Sequence, residues 1–204
     1  MSKLENRDYV LVLDKSGSMS ACDTKSGKSR WDEAKESTEA LARKVQPFDA
    51  DGITVIPFAG SFKVYDNTTP EKVADIFKEN EPCGGTTLAP VLKHVFEAYK
   101  AKKKAGTTKA NGEIMIVITD GQPSDENSVA SEIVNFTKSL DNGDGEYGIL
   151  FLQVGKDVQA SAFLKKLDDD LEKQGAKFDI VDTKTMEELE NIGFTEALIA
   201  ALED

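Results

Sequence analysis

The stretch Tyr9-Val10-Leu11-Val12-Leu13-Asp14-Lys15-Ser16-Gly17-Ser18-Met19 carries the fold. Its five leading residues are apolar, rich in Val and Leu, and show no polar alternation. That is the pattern of a strand covered on both faces, as in a parallel sheet with helices above and below it. The run stops at an aspartate, and two serines follow around a glycine. A carboxylate and two hydroxyls are thereby placed on a turn at the carboxyl end of a central strand, where open α/β sheets bind their ligands.

Outward from this stretch, short apolar runs recur at 53–58, 114–118, 149–154 and 178–181, separated by segments of helical spacing. Alternation of this kind predicts an α/β domain with a mostly parallel sheet. The run at 62–66 follows 53–58 after only Ala59, Gly60 and Ser61, too short for a parallel crossover, so the pair is expected as an antiparallel hairpin at one edge of the sheet. Pro57 has no amide hydrogen and belongs at a strand end or a bulge. Trp31, Ala34, Thr38, Leu41, Ala42 and Val45 form one helical stripe, with Ser29 at the N-cap position and Pro47 at the stop. Pro70 and Pro90 each suit the first turn of a helix. Further helices are marked by Val129, Ile133, Phe136 and Leu140, by Phe163, Leu164, Leu167 and Leu171, and by the amphipathic segment 194–202. The lysine-rich stretch 100–109 reads as a solvated loop.

Two other loops reach the same edge of the sheet. The strand at 114–118 ends in Thr119-Asp120-Gly121, and Cys83-Gly84-Gly85-Thr86-Thr87-Leu88 precedes the Pro90 helix. The converging donors are all oxygens, which selects hard cations; two carboxylates with Ser and Thr hydroxyls suit octahedral Mg²⁺ or Mn²⁺ at about 2.0 to 2.1 Å. With the hydroxyls nearest and the carboxylates partly acting through water, the ion keeps a pull on an outside anion. The chemistry expected is capture of a carboxylate.

At these residues the chain resembles the von Willebrand factor type A family, whose metal-ion-dependent adhesion site reads D-x-S-x-S, then a distant Thr, then T-D-G. The resemblance assigns Asp14, Ser16, Ser18, Thr86 and Asp120 to the metal, with Thr87 the weaker claimant for the threonine. It implies a three-layer, Rossmann-like α/β fold, a single domain over 1–204, and a Mg²⁺ cofactor, with Mn²⁺ or Ca²⁺ as the other candidates. It also implies a protein partner that presents Asp or Glu to the ion. Within the family, Thr119-Asp120-Gly121-Gln122-Pro123-Ser124-Asp125 is most similar to stand-alone intracellular bacterial members, including tellurite-resistance-associated ones. The polar stretch 22–28 is a departure, longer than the usual link to the first helix.

Composition narrows the alternatives. The chain carries 37 acidic against 25 basic side chains, a net charge of -12, which disfavours nucleic acid as a partner. There is no apolar run of membrane-span length, and the polar N-terminus carries no signal-peptide pattern. With two cysteines, Cys22 and Cys83, the reading is a cytoplasmic protein with reduced thiols, although both cysteines fall on the metal rim, where a bridge between them is open to test. A single histidine, His94, leaves no triad and no multi-histidine zinc site. Asp125 reads as a helix cap or turn residue, and 141–146 lacks the ligands of a calcium loop. Gly27-Lys28-Ser29 lacks the upstream glycine of a phosphate loop, and the serine-hydrolase elbow fails at Ser16 and Ser18. Two rivals stand beside the adaptor. One is a Mg²⁺-dependent phosphohydrolase with Asp14 as nucleophile, which lacks the second carboxylate at Ser16. The other is a structural domain whose metal only ties loops together. The reading is a metal-dependent protein-binding module, not an enzyme.

Overall fold

The computed structural model describes residues 4–49 and 51–200. Six strands, β1 (Asp8–Asp14), β2 (Ile53–Phe58), β3 (Tyr65–Thr68), β4 (Glu113–Thr119), β5 (Tyr147–Gln153) and β6 (Val181–Thr185), form one sheet in the order β3-β2-β1-β4-β5-β6. Every pairing is parallel except β2 with β3, which is antiparallel at the edge. Among the described residues seven α-helices surround it: α1 (Arg30–Val45), α2 (Pro70–Glu79), α3 (Ala89–Ala105), α4 (Glu126–Thr137), α5 (Val158–Asp169), α6 (Met186–Ile192) and α7 (Phe194–Ala200).

The sheet separates two apolar layers, because successive strand side chains point to opposite faces. Tyr9, Leu11 and Leu13 pack with Trp31, Leu41, Val73, Phe77 and Leu198 from α1, α2 and α7. Val10 and Val12 pack instead with Phe96, Ile133 and Leu164 from α3, α4 and α5. The α1 helix starts where Ser29 Oγ accepts the Asp32 amide at 3.0 Å, and it ends before Pro47. Pro57 is the penultimate residue of β2, beyond Val55, the last residue paired with β3.

Four expectations need correction. The sixth strand begins at Val181, not at 178: Phe178 and Ile180 bury against the core from the preceding loop, and the ladder continues through polar Asp182, Thr183 and Lys184. The edge strand is Tyr65–Thr68 rather than 62–66, with Phe62 making only an isolated bridge to Phe58. The C-terminal segment has a helix, α6, that periodicity did not mark; α7 runs to Ala200, and Leu202 lies outside the described residues. The stretch 100–109 is loop only from 106 onward. Lys100 to Lys104 continue α3, and Lys102 pairs with Asp8 at 2.9 Å and Glu113 at 3.1 Å. Carboxylates at the amino edge of the sheet need cations, and lysines in the last turn of a helix supply them while favouring the helix dipole.

On the α3 and α4 side, Phe136 stacks on Phe96 with ring centroids 4.0 Å apart and meets Tyr147 edge-on at 4.7 Å. Phe136→Ala is expected to cost about 3 to 5 kcal/mol, read as a lower urea midpoint with an unchanged slope.

Candidate metal centre

β1 and β4 lie side by side in the middle of the sheet, with Leu13 opposite Ile118. That register brings Asp14 and Thr119 together at the carboxyl edge, and Thr119 Oγ1 donates to Asp14 Oδ2 at 2.7 Å. The chain after Asp14 turns back, so that the Ser16 amide donates to Asp14 Oδ1 at 2.8 Å. Ser16 Oγ and Ser18 Oγ lie 2.9 Å apart, and Ser18 Oγ donates to Asp120 Oδ1 at 3.0 Å. Asp14, Ser16, Ser18 and Asp120 therefore form one connected set of oxygens. Asp14 and Asp120 are fully buried, Ser16 is buried and Ser18 is exposed, so the set opens to solvent at Ser18.

The Thr86 loop is fastened to both others through its backbone. The Gly17 amide donates to the Gly84 carbonyl at 3.0 Å, and the Cys83 amide to the Lys15 carbonyl at 2.7 Å. The Ser124 amide and hydroxyl both donate to the Thr86 carbonyl, at 2.8 and 2.9 Å. Asp125 stands at the start of α4 but caps a different helix: its carboxylate accepts the Leu88 amide at 3.0 Å and the Ala89 amide at 2.8 Å, at the beginning of α3. Thr86 is half-buried on this clamped loop. Thr87 on the same loop donates its amide to the Ala59 carbonyl at 3.1 Å.

Sequence reasoning missed two residues. One is Thr119, whose role depends on the β1–β4 register. The other is Arg30, whose Nη1 donates to Asp120 Oδ2 at 2.7 Å while Nε and Nη2 grip Asp23 at 2.8 and 2.6 Å. A cation in the first turn of α1, where the helix dipole favours an anion, is the one local sign of it. Asp23 first, and Asp120 after it, hold the Arg30 guanidinium more firmly protonated than usual. Cys22 and Cys83 are free and exposed: Cys22 Sγ faces the Ser20 carbonyl at 3.7 Å, and Cys83 Sγ takes the Lys15 ammonium at 3.5 Å.

The oxygens present fit a hard divalent cation in type, and the electrostatics agree. Asp14 has no lysine or arginine within ion-pair distance among the described residues, and burial pushes its carboxyl up to about 6 against the opposing pull of the Thr119 and Ser16 hydrogen bonds. A second acidic group, Asp8, Asp49 and Asp51, lies at the opposite edge of the sheet. Each of its carboxylates already has a cation against it, since Lys109 lies 3.0 Å from Asp8, 2.5 Å from Asp51 and in contact with Asp49.

Fold and site thus define an α/β domain with an all-oxygen, acidic constellation at the switch point of its sheet. The chain belongs to the von Willebrand factor type A domain family, whose model matches residues 9–122, more than half of its length. No curated protein sequence matches it. Among solved structures it is similar to the D319A mutant of the PilB minor pilin from Streptococcus sanguinis (16% identity, TM-score 0.63, covering 98% of this chain and 60% of that one). It is also similar to the manganese-loaded Plasmodium vivax TRAP protein (12%, 0.59, covering 93% and 73%). The vWF domain of the type V pili tip protein Mfa5 from Porphyromonas gingivalis shares the fold as well (14%, 0.54, covering 96% and 93%). At these identities the likeness is one of fold, and the chain spans well under two thirds of the PilB structure's length.

A carboxyl raised from 3.8 to about 6 adds stability below pH 4 that is lost as pH rises through 6, a cost on the order of 2 to 3 kcal/mol at pH 7. Asn at this position keeps an acceptor for the Ser16 amide, and Thr119 Oγ1 can turn its hydrogen to the Gly121 carbonyl, 3.3 Å away. Asp14→Asn should therefore raise the melting temperature of the metal-free protein at pH 7 by roughly 5 to 10 °C, with the gain fading by pH 4. Scanning calorimetry in EDTA at both pH values checks it; an unchanged or lower melting temperature at pH 7 contradicts it.

Proposed function

We propose that this domain is a divalent-metal-dependent protein-binding module, with Mg²⁺ as the ion and with Asp14, Ser16, Ser18, Thr86 and Asp120 as the residues that hold it. The observation that carries the reading is a fully buried carboxylate with no cationic partner among the described residues, hydrogen-bonded to the Ser16 amide beside a connected set of serine and aspartate oxygens. Membership of the von Willebrand factor type A family supports it, as does the manganese in the similar TRAP structure. An ion bound there supplies positive charge toward solvent. Asp14 orients the first loop through the Ser16 amide, Ser18 sits at the open side, and the clamp of Ser124 and Asp125 fixes where the Thr86 loop can stand. The partner chemistry that fits is an exposed Asp or Glu side chain, in an adaptor without catalytic turnover. Placement near the tellurite-resistance-associated members belongs to the same proposal and rests on the sequence from Thr119 to Asp125.

Catalysis by Asp14 fits the geometry poorly. Its side chain is fully buried, and two residues further on, where a second carboxylate would serve as the general acid, the chain has Ser16.

Two expected outcomes test the reading. Millimolar Mg²⁺ at 100 times its Kd should stabilise the protein by about 2.7 kcal/mol, a rise of roughly 5 to 10 °C in melting temperature. Asp14→Ala combined with Asp120→Ala should abolish that rise, and an equal rise in the double variant would sink the site assignment. A partner recovered with the wild-type domain in Mg²⁺ should be lost in EDTA and after Asp14→Ala. Replacing one acidic residue of that partner by its amide should remove most of the affinity, because a neutral oxygen gains far less from the ion. Equal binding in EDTA would place the interface on another face.

A further inference from the structure

Arg30 is built into the edge of the constellation. Its side chain is only 12% exposed and spans two carboxylates: the buried Asp120 through Nη1, and the half-exposed Asp23 through Nε and Nη2. The seat is shaped for it. Gly155, just after β5, has φ +77°, and a Cβ at that position would stand 2.8 Å from Arg30 Nε and 3.1 Å from its Cζ. Ser18 holds the other oxygen of Asp120, so the carboxylate faces the constellation through Oδ1 alone while Oδ2 is committed to the guanidinium.

We propose that Arg30 is a resident counter-cation of the metal centre, which lowers the affinity of the site for the ion and raises the affinity of the loaded site for a carboxylate. The inference rests on the metal-binding reading above. Asp14, Asp120 and Arg30 together carry one net negative charge, so a divalent ion makes the loaded site singly positive. Without Arg30 the same ion only cancels the two carboxylates and leaves the site neutral. Asp23, on the solvent side of the guanidinium, screens part of that charge and belongs to the rim segment 22–28, which Lys25 also ties to Glu187 of α6 at 2.5 Å. Arg30 is thus a positioning residue, setting the balance between holding the ion and attracting an anion.

The test uses opposite signs. Mg²⁺ and Mn²⁺ are titrated by calorimetry into wild type, Arg30→Gln, Arg30→Lys and Asp23→Asn. Acetate, as the smallest carboxylate, is then titrated into each Mg²⁺-saturated protein by amide NMR. Arg30→Gln should bind the ion roughly tenfold more tightly, the size of effect a unit charge has across a partly screened site, and acetate several-fold more weakly. Arg30→Lys, which keeps the charge, should stay within about threefold of wild type in both. Asp23→Asn, which unscreens Arg30, should weaken the ion and strengthen acetate. A merely structural Arg30 would instead lower melting temperature, ion affinity and acetate affinity together in Arg30→Gln, and that result overturns the proposal. So do equal ion affinities in wild type and Arg30→Gln. Failure of the wild type to bind either ion overturns the metal-binding reading and this proposal with it; ion binding with no difference among the variants overturns this proposal alone.

Discussion

An uncompensated charge organises this molecule. Asp14 ends the central strand with its carboxylate buried to zero exposure, and the groups that reach it are hydrogen-bond donors rather than cations. Leaving such a charge in the interior is costly, because dipoles of neighbouring hydroxyls and amides replace only part of the lost hydration. The surrounding architecture follows from that constraint. The β1–β4 register supplies Thr119, the turn at Gly17 supplies the Ser16 amide, and the three loops are laced together through Gly84, Lys15 and Ser124. The Thr119–Asp14 contact joins two strands whose following helices, α1 and α4, pack on opposite faces of the sheet, which is why the loops part there and leave an approach for a ligand.

The opposite edge of the sheet shows the alternative solution to the same problem. Asp8, Asp49, Asp51 and Glu113 also gather carboxylates, with Asp49 and Glu113 almost as buried as Asp14. There the chain provides its own cations: Lys102 reaches Asp8 and Glu113, and Lys109 reaches Asp8, Asp49 and Asp51. A cluster of acids is therefore not by itself a metal site. What separates the two ends is whether each carboxylate already has one of the protein's own cations in contact with it. At the carboxyl edge Arg30 balances Asp120 and leaves Asp14 alone.

Much of this was legible in the sequence, for identifiable reasons. β1 and β4 are continuous apolar runs that end abruptly in aspartate, so strand, burial and edge position could be read together from a few residues. That Asp14, Ser16, Ser18 and Asp120 come together at one edge was legible for the same reason. β3 and β6 were shifted because edge strands are half exposed: Asp66, Asn67, Asp182 and Lys184 belong to ladders yet look like loop residues, while Phe178 is apolar and lies outside one. Thr119 and Arg30 were illegible because their partners are set by register and by loop closure, 105 and 90 residues away. Lys102 and Lys103 of α3 were misread because their charge suggested solvent, whereas their ammonium groups reach Asp8 and Glu113, and Asp141 and Glu146.

If the central chemistry is capture of a carboxylate, it cannot choose among partners, since every protein surface presents Asp and Glu. Discrimination is a difference of affinities and must come from what surrounds the captured group. On one side of the constellation stand Lys15 and Cys83, in contact at 3.5 Å. On the other, the segment 22–28 rises as a wall, braced internally by Thr24 Oγ1 donating to the Lys28 carbonyl at 2.9 Å. Between this wall and the ends of β5 and β6 lies a cleft of about 400 Å³, lined by Asp23, Lys25, Glu33, Gln153, Lys156 and Glu187. It carries charges of both signs, and Asp23 in its lining is gripped by Arg30, which also holds Asp120. A partner lying across the centre toward this side would be read by charge pattern as well as by its acid. The segment 22–28 is then the part of the surface best placed to make this domain selective.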